Sequence, residues 1–244
     1  MHSRLLQTGR YLRTLARAFP GSLRDVLLAS AKSVNFSNYG EDLVLTRMFQ
    51  LPPHGFYVDI GSNHPVVASN TFRLDLMGWT GVAIEPNPAL TAKYARLRPS
   101  CQVVTSGVGE TAGRLEYILF NIDQCNTVDP RLADIARQRG VKEIGRIPIE
   151  VRPLDELLAE HVHDHFIDVM SIDIEGHEIP ALRSNNWARW TPAIILGEDH
   201  LPFGRSFEDS ELALFLRDRG YAVVSRVHFT TFFVHRDHAE RLAW

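Results

Sequence analysis

The sequence predicts an α/β fold: a mostly parallel sheet with helices on both faces, closed by an antiparallel hairpin. Three observations predict it. From residue 55 onward, short apolar runs alternate with stretches of helical spacing, the pattern of repeated strand-helix units. The last two runs are joined by a tight polar turn, which places an antiparallel pair at one edge. With 244 residues, 45% hydrophobic and 23% charged, the chain can bury the core of one large domain.

The elements follow in order. GFYVDIG (55–61) is a strand ending in Asp-x-Gly, and VVASNTFRLDLMG (66–78) is its helix, stopped by a glycine. TGVAIEP (80–86) and NPALTAKYARLR (87–98) repeat the unit, and CQVVTSGVG (101–109) is a third strand. LEYILFN (115–121) reads as a short extra strand. Residues 124–145 mix turn residues with the helix-like ADIARQRG and read as an insertion or lid. IPIEV, PLDELLAEHV, FIDVMSIDI, HEIPALRSNNW and PAIILGE then alternate strand and helix. SFEDSELALFLRDRG (206–220) opens on a Ser-x-x-Asp cap and closes on glycine, so it is a helix. YAVVSRVH and TFFVHR form the closing hairpin.

Charge sets further bounds. The formal net charge of −3 and the lack of any aromatic-basic repeat argue against nucleic acid as a partner. Residues 1–35 form a separate basic helical segment ahead of a domain over 36–244; up to Lys32 six Arg and Lys face one acid, Asp25. Such a segment packs on the domain or on a second copy in a homodimer, and a peripheral contact with anionic lipid is its alternative. No apolar run approaches the ~18 residues of a membrane span, and no leader with a cleavage site is evident, so a cytoplasmic location is expected. Cys101 and Cys125 form no metal-type pair and read as reduced thiols.

Ligands of parallel α/β sheets bind where the strands stop. The residues there are Asp59 and Gly61, Glu85, Asp173, and Glu198 with Asp199, an acidic rim. A strand and glycine turn, followed some 26 residues on by an acid at the next strand's end, is the layout of a nucleoside pocket, the acid accepting the ribose hydroxyls. A dinucleotide needs several glycines for its pyrophosphate, but GSNHPV has one, followed by His64 and Pro65. A cofactor without a pyrophosphate suits that turn, and S-adenosylmethionine, positive at sulfur, also suits the acidic rim.

FSNYGEDLVL (36–45), GFYVDIGSNHPVVASNT (55–71), GVAIEPNP (81–88), RPLDELL (152–158) and MSIDIEGHE (170–178) together resemble the motifs of the FkbM family of S-adenosylmethionine-dependent methyltransferases. The resemblance implies a Rossmann-like class I methyltransferase fold with a seven-stranded sheet. It implies methyl transfer to a hydroxyl oxygen, often of a sugar or polyketide. Carried over residue by residue, it makes Asp59, Gly61 and Asn63 contacts of the cofactor's amino-acid end. Glu85 would take the ribose with Asn87 nearby, and Ser106, Gly107 and Val108 would flank the adenine. Tyr39, Glu41 and Asp42 would lie near the cofactor, although Asn38 stands where many members have glutamine. Asp173 would border both the cofactor and the reaction centre.

A neutral hydroxyl is a poor nucleophile, so its proton must be removed or its pKa lowered. Two devices are open. His177, four residues past Asp173 at a helix start, is the candidate base, with His200 in reserve. Asp173, Glu198 and Asp199, at the tips of two neighbouring strands, are candidate ligands for magnesium, a layout similar to that of metal-dependent O-methyltransferases of different families. In the plainer reading, Asp173 and Glu198 only order loops, Glu175 and Glu178 support a helix N-terminus, and HVHDH (161–165) is exposed polar surface. A NAD-dependent oxidoreductase and a non-catalytic nucleoside-binding module are the competing functions.

Overall fold

The computed structural model describes residues 34–201 and 206–241. The basic helical segment expected over residues 1–35 falls, except for its last two positions, outside them. Seven strands build the main sheet: β1 (Phe56–Ile60), β2 (Thr80–Ile84), β3 (Cys101–Val104), β7 (Val169–Ile172), β8 (Ile194–Glu198), β9 (Tyr221–Val227) and β10 (Thr230–His235). Their order is β3-β2-β1-β7-β8-β10-β9. The first five run parallel, while β10 is antiparallel to both β8 and β9. The predicted mostly parallel sheet with a C-terminal antiparallel hairpin is therefore present. The strand order reverses between β1 and β7, and that switch point leaves a crevice at the strands' carboxyl ends.

Alternation along the strands builds two cores. Val58, Ile60, Ile84, Met170, Ile195 and Phe233 pack on one face with Leu157, Leu158 and Leu182 from helices Leu154–His161 and Glu178–Arg183. Tyr57, Val169, Ile194 and Phe232 pack on the other with Leu45 of helix Glu41–Met48 and with Trp79. Val58 and Tyr57 face opposite ways because side chains alternate along a strand. Helices on both faces thus cover a sheet whose central strands are buried throughout.

Several elements differ from expectation. The helix expected over 66–78 is confined to Phe72–Leu76, because residues 62–71 spend their polar groups in a turn network described below. NPALTAKYARLR forms two single-turn helices, Pro88–Thr91 and Tyr94–Leu97. At SFEDSELALFLRDRG the helix proper is Glu211–Arg217, capped by Ser210, whose hydroxyl accepts the Ala213 N–H at 2.9 Å; Ser206 caps only a short 3-10 turn before it.

The larger difference is a second sheet. β4 (Gly107–Val108), β5 (Gly113–Phe120) and β6 (Glu143–Arg152) form a three-stranded sheet ordered β4-β6-β5, with β5 and β6 antiparallel. The insertion expected over 124–145 is mainly the connection of this hairpin. It holds a 3-10 turn, Asp123–Cys125, and a helix, Pro130–Gln138, capped by Asp129 with proline at its first position. Ile118, Phe120, Ala133 and Ala136 give it a small core of its own. No helix among the described residues is long and apolar enough to cross a membrane.

Candidate active site

A cavity of about 310 Å³ lies at the carboxyl ends of the parallel strands. One wall comes from the ends of β1, β2 and β7, with Gly61, Asn63, Glu85 and Asp173; the facing wall comes from the second sheet, with Gly107, Val108, Tyr117 and Val151. Glu175, His177 and Glu198 complete the end nearest β8.

The turn after β1 is closed on itself. The N–H groups of Gly61 and Ser62 donate to Ile84 O, that of Asn63 to Glu85 Oε2, and that of His64 to its neighbour's Oδ1. Pro65 has no N–H, and those of Val66 and Val67 both donate to His64 Nδ1 at 3.2 Å. Gly61 has φ +76°, and a Cβ there would stand 1.8 Å from the Asp173 carbonyl oxygen, so only glycine fits. The turn is thereby pressed against the end of β7, which brings the predicted Asp173 to the predicted cofactor turn.

Glu85 is 2% exposed at the end of β2. Its Oε1 accepts the Asn87 N–H at 2.8 Å and its Oε2 the Asn63 N–H at 3.0 Å. Burial raises its pKa to about 7, against the opposing effect of those bonds. Ser106, Gly107 and Val108 line the cavity. Asn87 stands behind Glu85, its Oδ1 capping helix Pro88–Thr91 through the Ala89 N–H.

Three expected cofactor residues lie behind the wall. Asp59 is buried, and its Oδ2 accepts the Thr71 hydroxyl; burial raises its pKa against the pull of Thr71 and Arg98. Arg98, fully buried, donates to Tyr57 Oη (2.6 Å), Thr71 Oγ1 (3.1 Å), Ser69 Oγ and Pro65 O (3.4 Å each). Asp59 and Arg98 therefore hold the segment after the turn from beneath. Glu41 takes the Tyr39 N–H at 2.8 Å, and Asp42 takes the Ser37 hydroxyl and Arg73 Nε. Of the motif around them, Asn38 lines the cavity, whereas Tyr39 is 54% exposed outside it.

The acids at the β8 end come together. Asp173, Glu178 and Glu198 each place a carboxylate oxygen within 4.8 Å of the others, and Glu175, Glu198 and His200 form a second such group. Asp199, expected as a ligand, is in neither group. Its N–H donates to Phe229 O and its carbonyl accepts from Arg226 Nη2 at 2.6 Å, so it fastens the strand end to the hairpin turn. Burial and the neighbouring Glu198 push the Asp173 carboxyl well above the carboxylate range. Burial also acts on Glu198, yet His200 and Asp173 hold it below its ordinary value. Burial, then Glu198, raises Glu175 to about 8. Glu178 spends Oε1 on the N–H groups of Ile174 and Gly176, the helix-start support expected of it. His177 faces the cavity as the residue preceding that helix, and its side chain makes no capping bond.

Sequence reasoning missed Tyr117, Asp123 and Glu175 as cavity residues. Tyr117 lies in a segment legible as a strand, but only the second sheet tells which way its ring points; burial and the surrounding acids raise its phenol far above its ordinary value. The signal for Glu175 was Gly176 beside it: Glu175 itself adopts φ +53°, and this turn aims it inward. The histidines His163 and His165 lie at the far end of the sheet, in a separate cleft, and belong to no candidate metal group among the described residues.

The fold has a counterpart among solved structures. The chain is similar to a methyltransferase FkbM from Methylobacillus flagellatus KT, with 16% identity and a TM-score of 0.51 over 96% of this chain, which spans 60% of that one. A TehB-like SAM-dependent methyltransferase from Corynebacterium glutamicum shows 13% identity and a TM-score of 0.42 over 96% of this chain and 97% of its own. At 16% identity the likeness to the first of these is one of fold. No curated protein matches by sequence. The methyltransferase FkbM domain matches residues 59–223, more than half of the chain and all of the strand-end residues described above. The chain belongs to the FkbM methyltransferase family, and those residues are its methyltransferase domain.

Proposed function

We propose that the chain transfers the methyl group of S-adenosylmethionine to a hydroxyl of a small acceptor. One observation carries the choice of cofactor: every backbone N–H from Gly61 to Val67 is already spent within the protein, beside a buried acid that opens on the cavity. A pyrophosphate needs such donors free, which disfavours NAD. A nucleoside needs only the acid, and each Glu85 oxygen keeps a lone pair for a ribose hydroxyl. Glu198, held ionised at the β8 end, suits a sulfonium. When bound, S-adenosylmethionine supplies an electrophilic methyl group.

The chain's own residues then prepare the acceptor. His177 accepts the hydroxyl proton, a role worth ~10²–10⁴ in rate. Asp173 and Glu198, with Glu178, offer hard oxygens to a magnesium ion, which would lower the hydroxyl's pKa. In the test, methyl transfer from labelled S-adenosylmethionine is followed before and after dialysis against a chelator. Unchanged turnover removes the metal and leaves the cofactor reading standing. Titration calorimetry with S-adenosylhomocysteine and with NAD decides the cofactor; preference for NAD overturns the proposal. A His177→Ala variant with normal turnover would move the base elsewhere. An Asp173→Asn variant that binds S-adenosylhomocysteine but transfers no methyl group excludes a mere binding module.

A further inference from the structure

One buried hydroxyl on the cavity wall has no use in the fold. From β5 and β6 the lining takes the apolar Gly113, Leu115, Ile149 and Val151, the exposed Arg114, and Tyr117. Tyr117 shares a face of β5 with Leu115, since side chains alternate along a strand, and it packs with Ile149 and Val151. It is 9% exposed, yet its hydroxyl has no hydrogen-bond partner among the described residues. The other buried tyrosines differ. Tyr57 Oη donates to Asp75 Oδ1 and accepts from Arg98, Tyr94 Oη donates to Ser62 O, and Tyr221 Oη donates to Pro192 O. A buried hydroxyl without a partner costs stability, and phenylalanine would fill the same space without that cost. Glu85 at the nucleoside end of the cavity, and Glu175 and Asp173 at the end nearest β8, all act on the Tyr117 phenol, so it lies within reach of both ends.

We infer that the Tyr117 hydroxyl meets the sulfonium of S-adenosylmethionine and makes the site favour that cofactor over S-adenosylhomocysteine, which lacks both the charge and the methyl group. The inference rests on the methyl-transfer reading above and deepens it. In the cofactor one methylene separates the ribose from the sulfur, so a group within reach of both Glu85 and the acids toward β8 is placed for the sulfur. Carboxylates alone serve a cation poorly here. Burial raises Glu85 to about 7 and Glu175 to about 8 and holds Asp173 above the carboxylate range, which leaves Glu198 as the acid held ionised. A phenol oxygen carries partial negative charge without being ionised. Burial, then the acids around it, keep this phenol protonated far above its ordinary range, so it does not compete with His177 as a base. Its lone pairs remain for the sulfonium and its polarised methyl C–H groups.

The test titrates the full chain, as wild type and as Tyr117→Phe, with S-adenosylmethionine and with S-adenosylhomocysteine by calorimetry, and unfolds both proteins in urea. Phenylalanine keeps the ring and its packing. The ratio of S-adenosylmethionine to S-adenosylhomocysteine affinity falls roughly fivefold in the variant, the scale of a charge-assisted C–H···O contact, while S-adenosylhomocysteine binds as it does to wild type. The urea midpoint stays level or rises, because no protein group loses a partner. An unchanged ratio overturns the inference, and so does equal weakening of both ligands, which would assign the hydroxyl to the adenosine. A lowered urea midpoint overturns it as well, since the hydroxyl then supports the fold. In each of these cases methyl transfer stands. A wild type that binds neither ligand overturns the methyl-transfer reading and this inference with it.

Discussion

Replacing Glu85 by glutamine tests both the burial of this carboxylate and its role. Burial raises its pKa from the ordinary 4.5 to about 7, a displacement worth roughly 3 kcal/mol. The unfolded chain gives up this proton near 4.5 and the folded one near 7, so between those values the folded state holds more protons. The residue's contribution to stability is therefore fully present below 4.5, is lost as pH rises to about 7, and is level beyond. Glutamine cannot titrate. Its amide also leaves the N–H of Asn63 or Asn87 facing a donor, a constant offset that cancels when pH values are compared. The stability of Glu85→Gln relative to wild type should thus rise by roughly 3 kcal/mol from below pH 4.5 to pH 8, read from urea midpoints across that range. Two profiles that stay parallel would refute the buried-charge argument. Ribose recognition adds a second readout. Wild-type affinity for S-adenosylhomocysteine should strengthen as pH rises through about 7, whereas the variant should bind roughly 10- to 100-fold more weakly at pH 8 and without that dependence.

Arg98→Met removes a fully buried guanidinium that donates to four groups and neighbours Asp75, and should cost about 3–5 kcal/mol, a melting-point drop of roughly 10 °C. Gly61→Ala places a methyl group 1.8 Å from the Asp173 carbonyl at a positive φ, so calorimetry should find S-adenosylhomocysteine binding abolished even where circular dichroism retains the fold. Ser210→Ala deletes the cap of helix Glu211–Arg217 and should lower stability by about 1 kcal/mol in urea unfolding, with cofactor affinity unchanged.

What was legible in the sequence followed from local rules. The strands of the main sheet are short apolar runs whose ends carry Asp59, Glu85, Asp173 and Glu198, and the one-glycine turn GSNHPV already argued against a pyrophosphate. What was not legible depends on long-range pairing. LEYILFN and IPIEV read as isolated strands, because nothing within either names its partner; the observed Gly113–Phe120 and Glu143–Arg152 pair across 22 intervening residues. Asp59 stands at a strand end like Glu85, yet alternation turns it to the face occupied by Thr71 and Arg98, so it braces the turn from below. Asp199 differs from Glu198 by one position, which on a strand means the opposite side. The stacking of Tyr39 on His228 joins positions 189 residues apart, and no local pattern foretells it.

The second sheet bears on how such a chain can change over generations. Its hairpin excursion holds Ile118, Phe120, Ala133 and Ala136 together away from the two large cores, and still contributes Asp123, Asn126 and Thr127 to the cavity. Substitutions, insertions or a transplanted loop between Phe120 and Glu143 would reshape that wall without disturbing the packing that keeps the main sheet folded. The fold thereby separates a scaffold that keeps the chain folded from a region open to tinkering, and the excursion is where a graft from a relative would reshape the cavity at least risk to foldability.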